Sequence, residues 1–173
     1  MAGSFFLCLL ILLSCDSYPS VSYEVRGGII VPVVEVHDGD TVSVMLGGKK
    51  ERVRCIGIDA PELGQIPWGE RASAYMVSLL GDAGWRVELE LDVERRDKYG
   101  RLLAYLRTAD GRILNQSMLE KGYAVLFTVP PNVKYSRLFA ASQKAARLKK
   151  LGIWGEGGLS ETPRDYRRSN PRR

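Results

Sequence analysis

From Val31 to Leu106 the chain is a succession of short β-rich runs, each stopped by a glycine- or aspartate-rich turn, with one helical segment between them. Val31 to Val36 ends at His37-Asp38-Gly39-Asp40, a turn signal. Thr41 to Leu46 and Glu51 to Ile58 flank Gly47-Gly48, which predicts a two-residue hairpin loop. Ala72, Tyr75, Met76, Leu79 and Leu80 recur at helical spacing and are closed by Gly81 and Gly84. Trp85 to Leu91 alternates, with Val87, Leu89 and Leu91 on one face, and Leu102 to Leu106 is a further strand ended by Ala109-Asp110-Gly111. A short helix is expected around Leu114 to Lys121, before Gly122. A longer one should bury Leu138, Ala141, Ala145 and Leu148 and turn Lys134, Arg137, Lys144, Arg147 and Lys150 to water. Five short strands interrupted by a helix and followed by helices indicate an α+β protein built on a small barrel.

A length of 173 residues suits one domain, and 45% hydrophobic with 26% charged residues excludes a disordered chain. Three cysteines and one histidine leave little room for a disulfide scaffold or a zinc site. The net charge of +5 is unevenly placed: from Thr162 onward five arginines face one aspartate, which leaves only +1 for everything before. Residues 159–173 therefore read as a basic, disordered tail. At the other end, Phe5 to Leu13 is an uncharged apolar run too short to span a bilayer and of signal-peptide length. It ends in Leu12-Leu13-Ser14-Cys15, which resembles the bacterial lipoprotein box in which the cysteine is lipidated. The expected organisation is a signal over residues 1–19, a domain over 29–158 and the tail. That places the protein outside the cytoplasm, secreted or membrane-anchored through Cys15. With Cys8 and Cys15 outside the fold, Cys55 is left unpaired and should point into the core.

Three clusters carry polar chemistry. Asp38-Gly39-Asp40-Thr41 puts two carboxylates at a tight turn, and alone it reads first as a turn device. Arg54 lies inside an apolar strand and needs a partner, for which Asp59 is the nearest candidate. An offset of five cannot bring the two to one face of an ideal strand, so the chain must bend, at Gly57 or before Pro61. Alone, that pair reads as a buried ion pair. Asp97-Lys98-Tyr99-Gly100-Arg101 alone is a polar hairpin. Together, the hard carboxylate oxygens suit Ca²⁺ or Mg²⁺, two arginines can fork onto a phosphate, and a further carboxylate can take a proton from water. That is the inventory for metal-assisted phosphodiester hydrolysis.

In this combination the motifs resemble the staphylococcal nuclease (thermonuclease) family, from Val31 to about Glu156. The resemblance rests on Asp38-Gly39-Asp40-Thr41, on Arg54 with Asp59-Ala60-Pro61-Glu62, and on Asp97-Lys98-Tyr99-Gly100-Arg101. Ala109-Asp110-Gly111 with Asn115, and Leu151-Gly152-Ile153-Trp154, follow in order. It implies a five-stranded OB-type β-barrel with three α-helices and a Ca²⁺-dependent endonuclease acting on DNA and RNA. By the same resemblance Asp40, Asp59 and the Ala60 carbonyl would hold Ca²⁺, with Asp38 acting through water. Arg54 and Arg101 would hold the scissile phosphate, and Glu62 would position or deprotonate the attacking water. Lys98 and Tyr99 would contact a terminal phosphate, and Phe127 would stack on a base.

Three features depart from the family. Ala60 replaces a threonine, the loop from Leu63 to Trp68 is shorter than in the staphylococcal enzyme, and Phe127 and Val129 stand where that enzyme has tyrosines. Asn115 reads as a structural hydrogen-bonding residue, and His37 as a neighbour of the acidic turn. Two rivals remain: a non-catalytic nucleic-acid-binding module on the same fold, and a surface lipoprotein that uses it as a scaffold. The first sits poorly with a nearly neutral domain and with the presence of Asp40, Asp59, Glu62, Arg54 and Arg101. A monomer suffices for every role, and no protein partner is implied.

Overall fold

The computed structural model describes Glu24–Val25 and residues 28–171, so the expected signal segment with Cys8 and Cys15 lies outside the described residues. Its centre is a closed barrel. Strands β2 (Gly28–Val36), β3 (Thr41–Leu46), β4 (Lys49–Cys55), β7 (Leu102–Arg107) and β6 (Arg86–Arg96) neighbour one another in that order, and β6 pairs back onto β2. The two-residue β1 (Glu24–Val25) adds to the outer side of β2. All these pairings are antiparallel except β4 with β7.

Local chemistry explains the corners. Gly47 and Gly48 have φ of +57° and +77°, the signature of a tight hairpin turn that follows the right-handed strand twist. The turn sets Leu46 opposite Lys49 and thereby fixes the whole β3–β4 register, which ends with Thr41 opposite Arg54. Along β4, Val53 and Cys55 point into the barrel and Arg54 points out. Burial pushes the Cys55 thiol well above its ordinary range, so it packs as a small apolar group. Val31, Val42, Val44, Val53, Val87, Leu89, Leu102 and Leu106 fill the interior, each burial contributing on the order of 1.5–3 kcal/mol.

The predicted bend is present. β4 stops at Cys55, Gly57 has φ of +80°, and the short strand β5 (Gly57–Asp59) turns away to pair with β8 (Val125–Phe127). Only glycine serves here, because a Cβ on Gly57 would lie 2.7 Å from the Phe139 ring.

Helix α1 (Trp68–Asp82) buries Ala72, Met76, Leu79 and Leu80 against the barrel, as the spacing predicts. In α2 (Leu114–Glu120), Asn115 is fully buried: its Oδ1 accepts from the Leu106 amide (2.9 Å) and its Nδ2 donates to the Ile56 carbonyl (2.9 Å). It ties β7 to the bend, a structural role.

Two expectations are corrected. In α3 (Ser136–Leu148) the inward residues are Phe139, Ser142 and Ala146, while Leu138 and Leu148 are exposed. The helix is turned by one residue from the predicted phase. The Phe139 ring, edge-on to Tyr105 with centroids 5.9 Å apart, fits the aromatic core there and sets the phase. The lysines and arginines named for its outer side are all exposed.

The tail expected to be disordered instead carries a fourth helix, α4 (Pro163–Ser169). Thr162 caps it, accepting from the Asp165 amide (3.2 Å) and donating to the Asp165 carboxylate (2.7 Å), with Pro163 at the first helical position. Arg167 and Arg168 fall at its C-terminal end, where the helix dipole favours positive charge.

Candidate active site

The loop after β2, the outer face of β4 and the end of β5 meet at one place on the barrel wall. Asp38 and Asp40 come from the first, Arg54 from the second and Asp59 from the third, and the chain leaving β5 brings Ala60 and Glu62. Asp38 Oδ1 accepts from the Asp40 amide (2.9 Å), an Asx turn that sets the acidic loop. Asp40 Oδ2 accepts from the Ala60 amide (2.7 Å), which stitches the two loops together.

Arg54 is the hub. Its Nη2 lies 3.0 Å from both Asp40 Oδ2 and Asp59 Oδ1, and its Nη1 donates to the Cys55 carbonyl (2.9 Å). Burial works against its charge, but Asp40 and Asp59 outweigh burial and hold the guanidinium more firmly protonated. The sequence-predicted pairing of Arg54 with Asp59 is therefore real, yet it forms part of a larger cluster.

Asp40 is buried, at 5% exposure, and its carboxyl is pushed up to about 7. Burial is the main cause, the charges of Asp38 and Asp59 add to it, and Arg54 with the Ala60 amide opposes it.

A second guanidinium enters from α4, which the sequence reading assigned no role. Arg167 Nη1 donates to Asp59 Oδ1 (3.0 Å) and Glu62 Oε1 (2.8 Å), and its Nη2 donates to Asp59 Oδ2 (2.8 Å). Among the described residues, no three acidic, histidine or cysteine side chains converge closely enough to hold a metal ion as they stand. Arg54 and Arg167 stand between the carboxylates. The donor set itself is all hard oxygen: Asp40, Asp59 and Glu62, the Ala60 carbonyl, and Asp38 close by. That chemistry fits a Ca²⁺-type cation and suits no soft metal.

Arg101, Lys98 and Tyr99 form a second group on the turn between β6 and β7. Asp97 organises it: Oδ1 accepts from the Tyr99 (2.9 Å) and Arg101 (3.0 Å) amides, and Oδ2 from Arg101 Nε (2.7 Å). Lys98 and Arg101 lie over the exposed Tyr99 ring, at 5.1 and 5.5 Å. Arg54 is opposite Leu103 in the parallel β4–β7 pair, and Arg101 immediately precedes β7, so its turn leads into the strand beside that of Arg54. Phe127 pairs with Gly57 across β5–β8, as Val125 pairs with Asp59, and is 37% exposed, on the same face as the site. Val129 is exposed nearby in sequence, and His37 is held by Ser43 (2.7 Å), outside the acidic cluster.

Sequence reasoning missed Arg167. A signal was present in Thr162-Pro163-Arg164-Asp165, a capping pattern with proline at the first helical position. That pattern marks a helix, though nothing local reveals where its arginine reaches.

Residues 52–156 match the family described as staphylococcal nuclease homologue. The chain is 41% identical over 138 residues to a thermonuclease of Staphylococcus intermedius, covering 77% of this chain and 80% of that protein. It is 39% identical over 128 residues to endonuclease YncB of Bacillus subtilis, covering 70% of this chain and 59% of that protein. Against endonuclease YhcR of the same organism it is 33% identical over 165 residues, 86% of this chain but 13% of that protein. The chain thus spans less than two thirds of some of the relatives it matches. By its motifs, its barrel and these matches, it belongs to the staphylococcal nuclease homologue family.

Proposed function

We propose that this chain is a Ca²⁺-dependent endonuclease that hydrolyses phosphodiester bonds of DNA and RNA. The observation that carries the reading is the charge of the cluster. Four carboxylates (Asp38, Asp40, Asp59 and Glu62) gather around Arg54 and Arg167, and the turn bearing Arg101 leads into the strand beside that of Arg54, on a barrel of nearly neutral charge.

Asp40, Asp59 and the Ala60 carbonyl would hold Ca²⁺, with Asp38 acting through water; when bound, the ion supplies positive charge to the phosphate oxygens. Arg54 and Arg101 fork onto the scissile phosphate and stabilise the charge that grows there in the transition state. Asp97 aims Arg101 by holding its Nε. Glu62 accepts a proton from the attacking water, and its backbone amide, anchored on the Gln65 side chain (3.0 Å), fixes the start of its loop. Lys98 and Tyr99, packed beside Arg101, would contact a terminal phosphate. Phe127 offers its exposed face to a base, a role that Val129 cannot share.

The names of the relatives, thermonuclease and endonuclease, support the same reading. The apolar run Phe5 to Leu13 and its closing Cys15 support action outside the cytoplasm, as a secreted or lipid-anchored protein. The chain works as a monomer, since every proposed role is filled from within it.

Digestion of single- and double-stranded DNA and of RNA, with Ca²⁺, Mg²⁺ or chelator, tests the activity. Internal cuts that need Ca²⁺ and disappear in Arg101→Ala of unchanged fold are expected. A folded protein that binds nucleic acid and cuts none under any metal would return the non-catalytic binding module.

A further inference from the structure

Arg167 reaches the acidic cluster because α4 is seated with care. The Trp68 indole N–H donates to the Gly157 carbonyl (2.9 Å), and the Gln65 side-chain amide donates to the Glu161 carbonyl (3.2 Å). Pro163 is buried, and the Tyr166 hydroxyl packs so closely on Gly64 that no Cβ would fit there. Each of these contacts falls on or beside the short 63–68 loop, the loop that leads directly out of Glu62. The segment that is seated, from Gly157 through α4, lies past residue 156, where the family match ends.

The consequence for Asp59 is specific. Its Oδ1 accepts from both Arg54 and Arg167, and its Oδ2 accepts from Arg167, so both oxygens are engaged by guanidinium. Arg167 also holds the Glu62 oxygen at 2.8 Å. A divalent cation that takes Asp59 as a ligand has to displace at least one of these bonds. Arg167 supplies positive charge where a cation would, on the carboxylate proposed as its ligand and on the one proposed to receive the proton.

We infer that Arg167 is a tethered competitor for the divalent cation, and that α4 is a strap holding the site closed until cation and nucleic acid displace it. This rests on the reading of Asp40 and Asp59 as cation ligands. The closed population lowers apparent cation affinity by the fraction of molecules that are open. Because the Arg167 side chain is 39% exposed, its ion pairs are screened and the effect is moderate.

Calorimetric titration of the full chain with CaCl₂ tests the strap. Arg167→Gln should bind Ca²⁺ about fivefold more tightly than the unmodified chain. Arg164→Gln removes the same charge from an exposed position of the same helix and should leave affinity near its starting value. Asp40→Asn should weaken binding. In Arg167→Gln, Asp59 keeps its bond to Arg54, so the fold should persist, which a thermal melt checks. In the unmodified chain, saturating Ca²⁺ should speed amide hydrogen exchange over 163–169, since α4 loses its anchor. Equal or weaker affinity in Arg167→Gln than in Arg164→Gln, or α4 exchange unchanged by Ca²⁺, overturns the strap while an Asp40→Asn defect leaves the cation site standing. If Asp40→Asn binds as well as the unmodified chain, the cation reading fails and the strap falls with it.

Discussion

Around Glu90 charge is balanced, whereas around Asp59 it is not. Glu90 accepts from Arg107 Nη2 (2.6 Å) and from the Tyr135 hydroxyl (2.9 Å), and pairs with Lys134. Beside it, Asp92 accepts from the Tyr105 hydroxyl (2.9 Å), and the Tyr105 and Tyr135 rings meet edge to face at 4.7 Å. Two carboxylates thus face two cations, with phenols filling the remaining acceptor positions. Burial alone would raise the Glu90 carboxyl, but Lys134, Arg107 and Tyr135 outweigh it and hold it below its ordinary range. In the Asp59 cluster four carboxylates meet two guanidiniums, and the Asp40 carboxyl is driven the other way. The same barrel carries both networks. The first is arranged to be stable by itself, and the second holds more carboxylates than guanidiniums, as the proposed cation site would.

Exchanging arginine for alanine in each network should separate these roles most widely. Arg101→Ala is expected to cost 10²–10³ in kcat, about 3–4 kcal/mol of transition-state stabilisation, with a melting temperature close to the original. Arg107→Ala should do the reverse: stability falls by about 2 kcal/mol because Glu90 loses its forked partner, while activity per folded molecule stays. Kinetics and melts on both variants decide. An Arg101→Ala enzyme of full activity would leave that arginine in the Asp97 turn as a purely structural residue.

Next comes the response to metal. Ca²⁺ at a hundred times its dissociation constant should stabilise the folded chain by about 2.7 kcal/mol, and chelator should remove that gain. Asp40→Asn should abolish the gain yet leave the metal-free protein as stable as before, because it keeps the acceptor for the Ala60 amide and removes one of four crowded negative charges. Glu90→Gln should retain the full Ca²⁺ gain. A metal-free Asp40→Asn protein markedly less stable than the original would show that the cluster is balanced after all.

The two networks also differ in how far the sequence announces them. The strands, the Gly47-Gly48 hairpin and the bend at Gly57 are legible because each follows from local chemistry: alternation, positive φ, and an arginine in an apolar run that needs a partner. The Arg54–Asp59 offset of five even foretold the bend. Other features depend on distant partners. The phase of α3 is decided by the fit of Phe139 against Tyr105 and Gly57, which a helical wheel that weighs all apolar residues alike does not contain. Helix α4 has no apolar stripe; its caps and the docking of Pro163 and Tyr166 make it. Arg167 meets Asp59 across 108 residues, so no spacing along the chain encodes the contact. The Glu90 network is hidden for the same reason, since Tyr135 approaches from 45 residues away.

The smallest expected effect is on acid stability, and its sign follows from Glu90. Its carboxyl is held below the ordinary value of 4.5, so the folded chain binds that proton less readily than the unfolded chain does. The contribution of Glu90 is therefore complete above pH 4.5 and is lost as pH falls from there through the lowered folded value. Glu90→Gln keeps the shape and one acceptor but has no charge to lose. At neutral pH it should be less stable than the original by about 1–2 kcal/mol, the scale of hydrogen bonds to a charged group. On acidification the original should lose stability faster, and the two urea-unfolding midpoints should converge. The Asp59 cluster is unchanged in both proteins, so it cancels in the comparison. A gap that stays constant from neutral to acid would mean that shape, and not charge, is what Glu90 contributes to the balanced network.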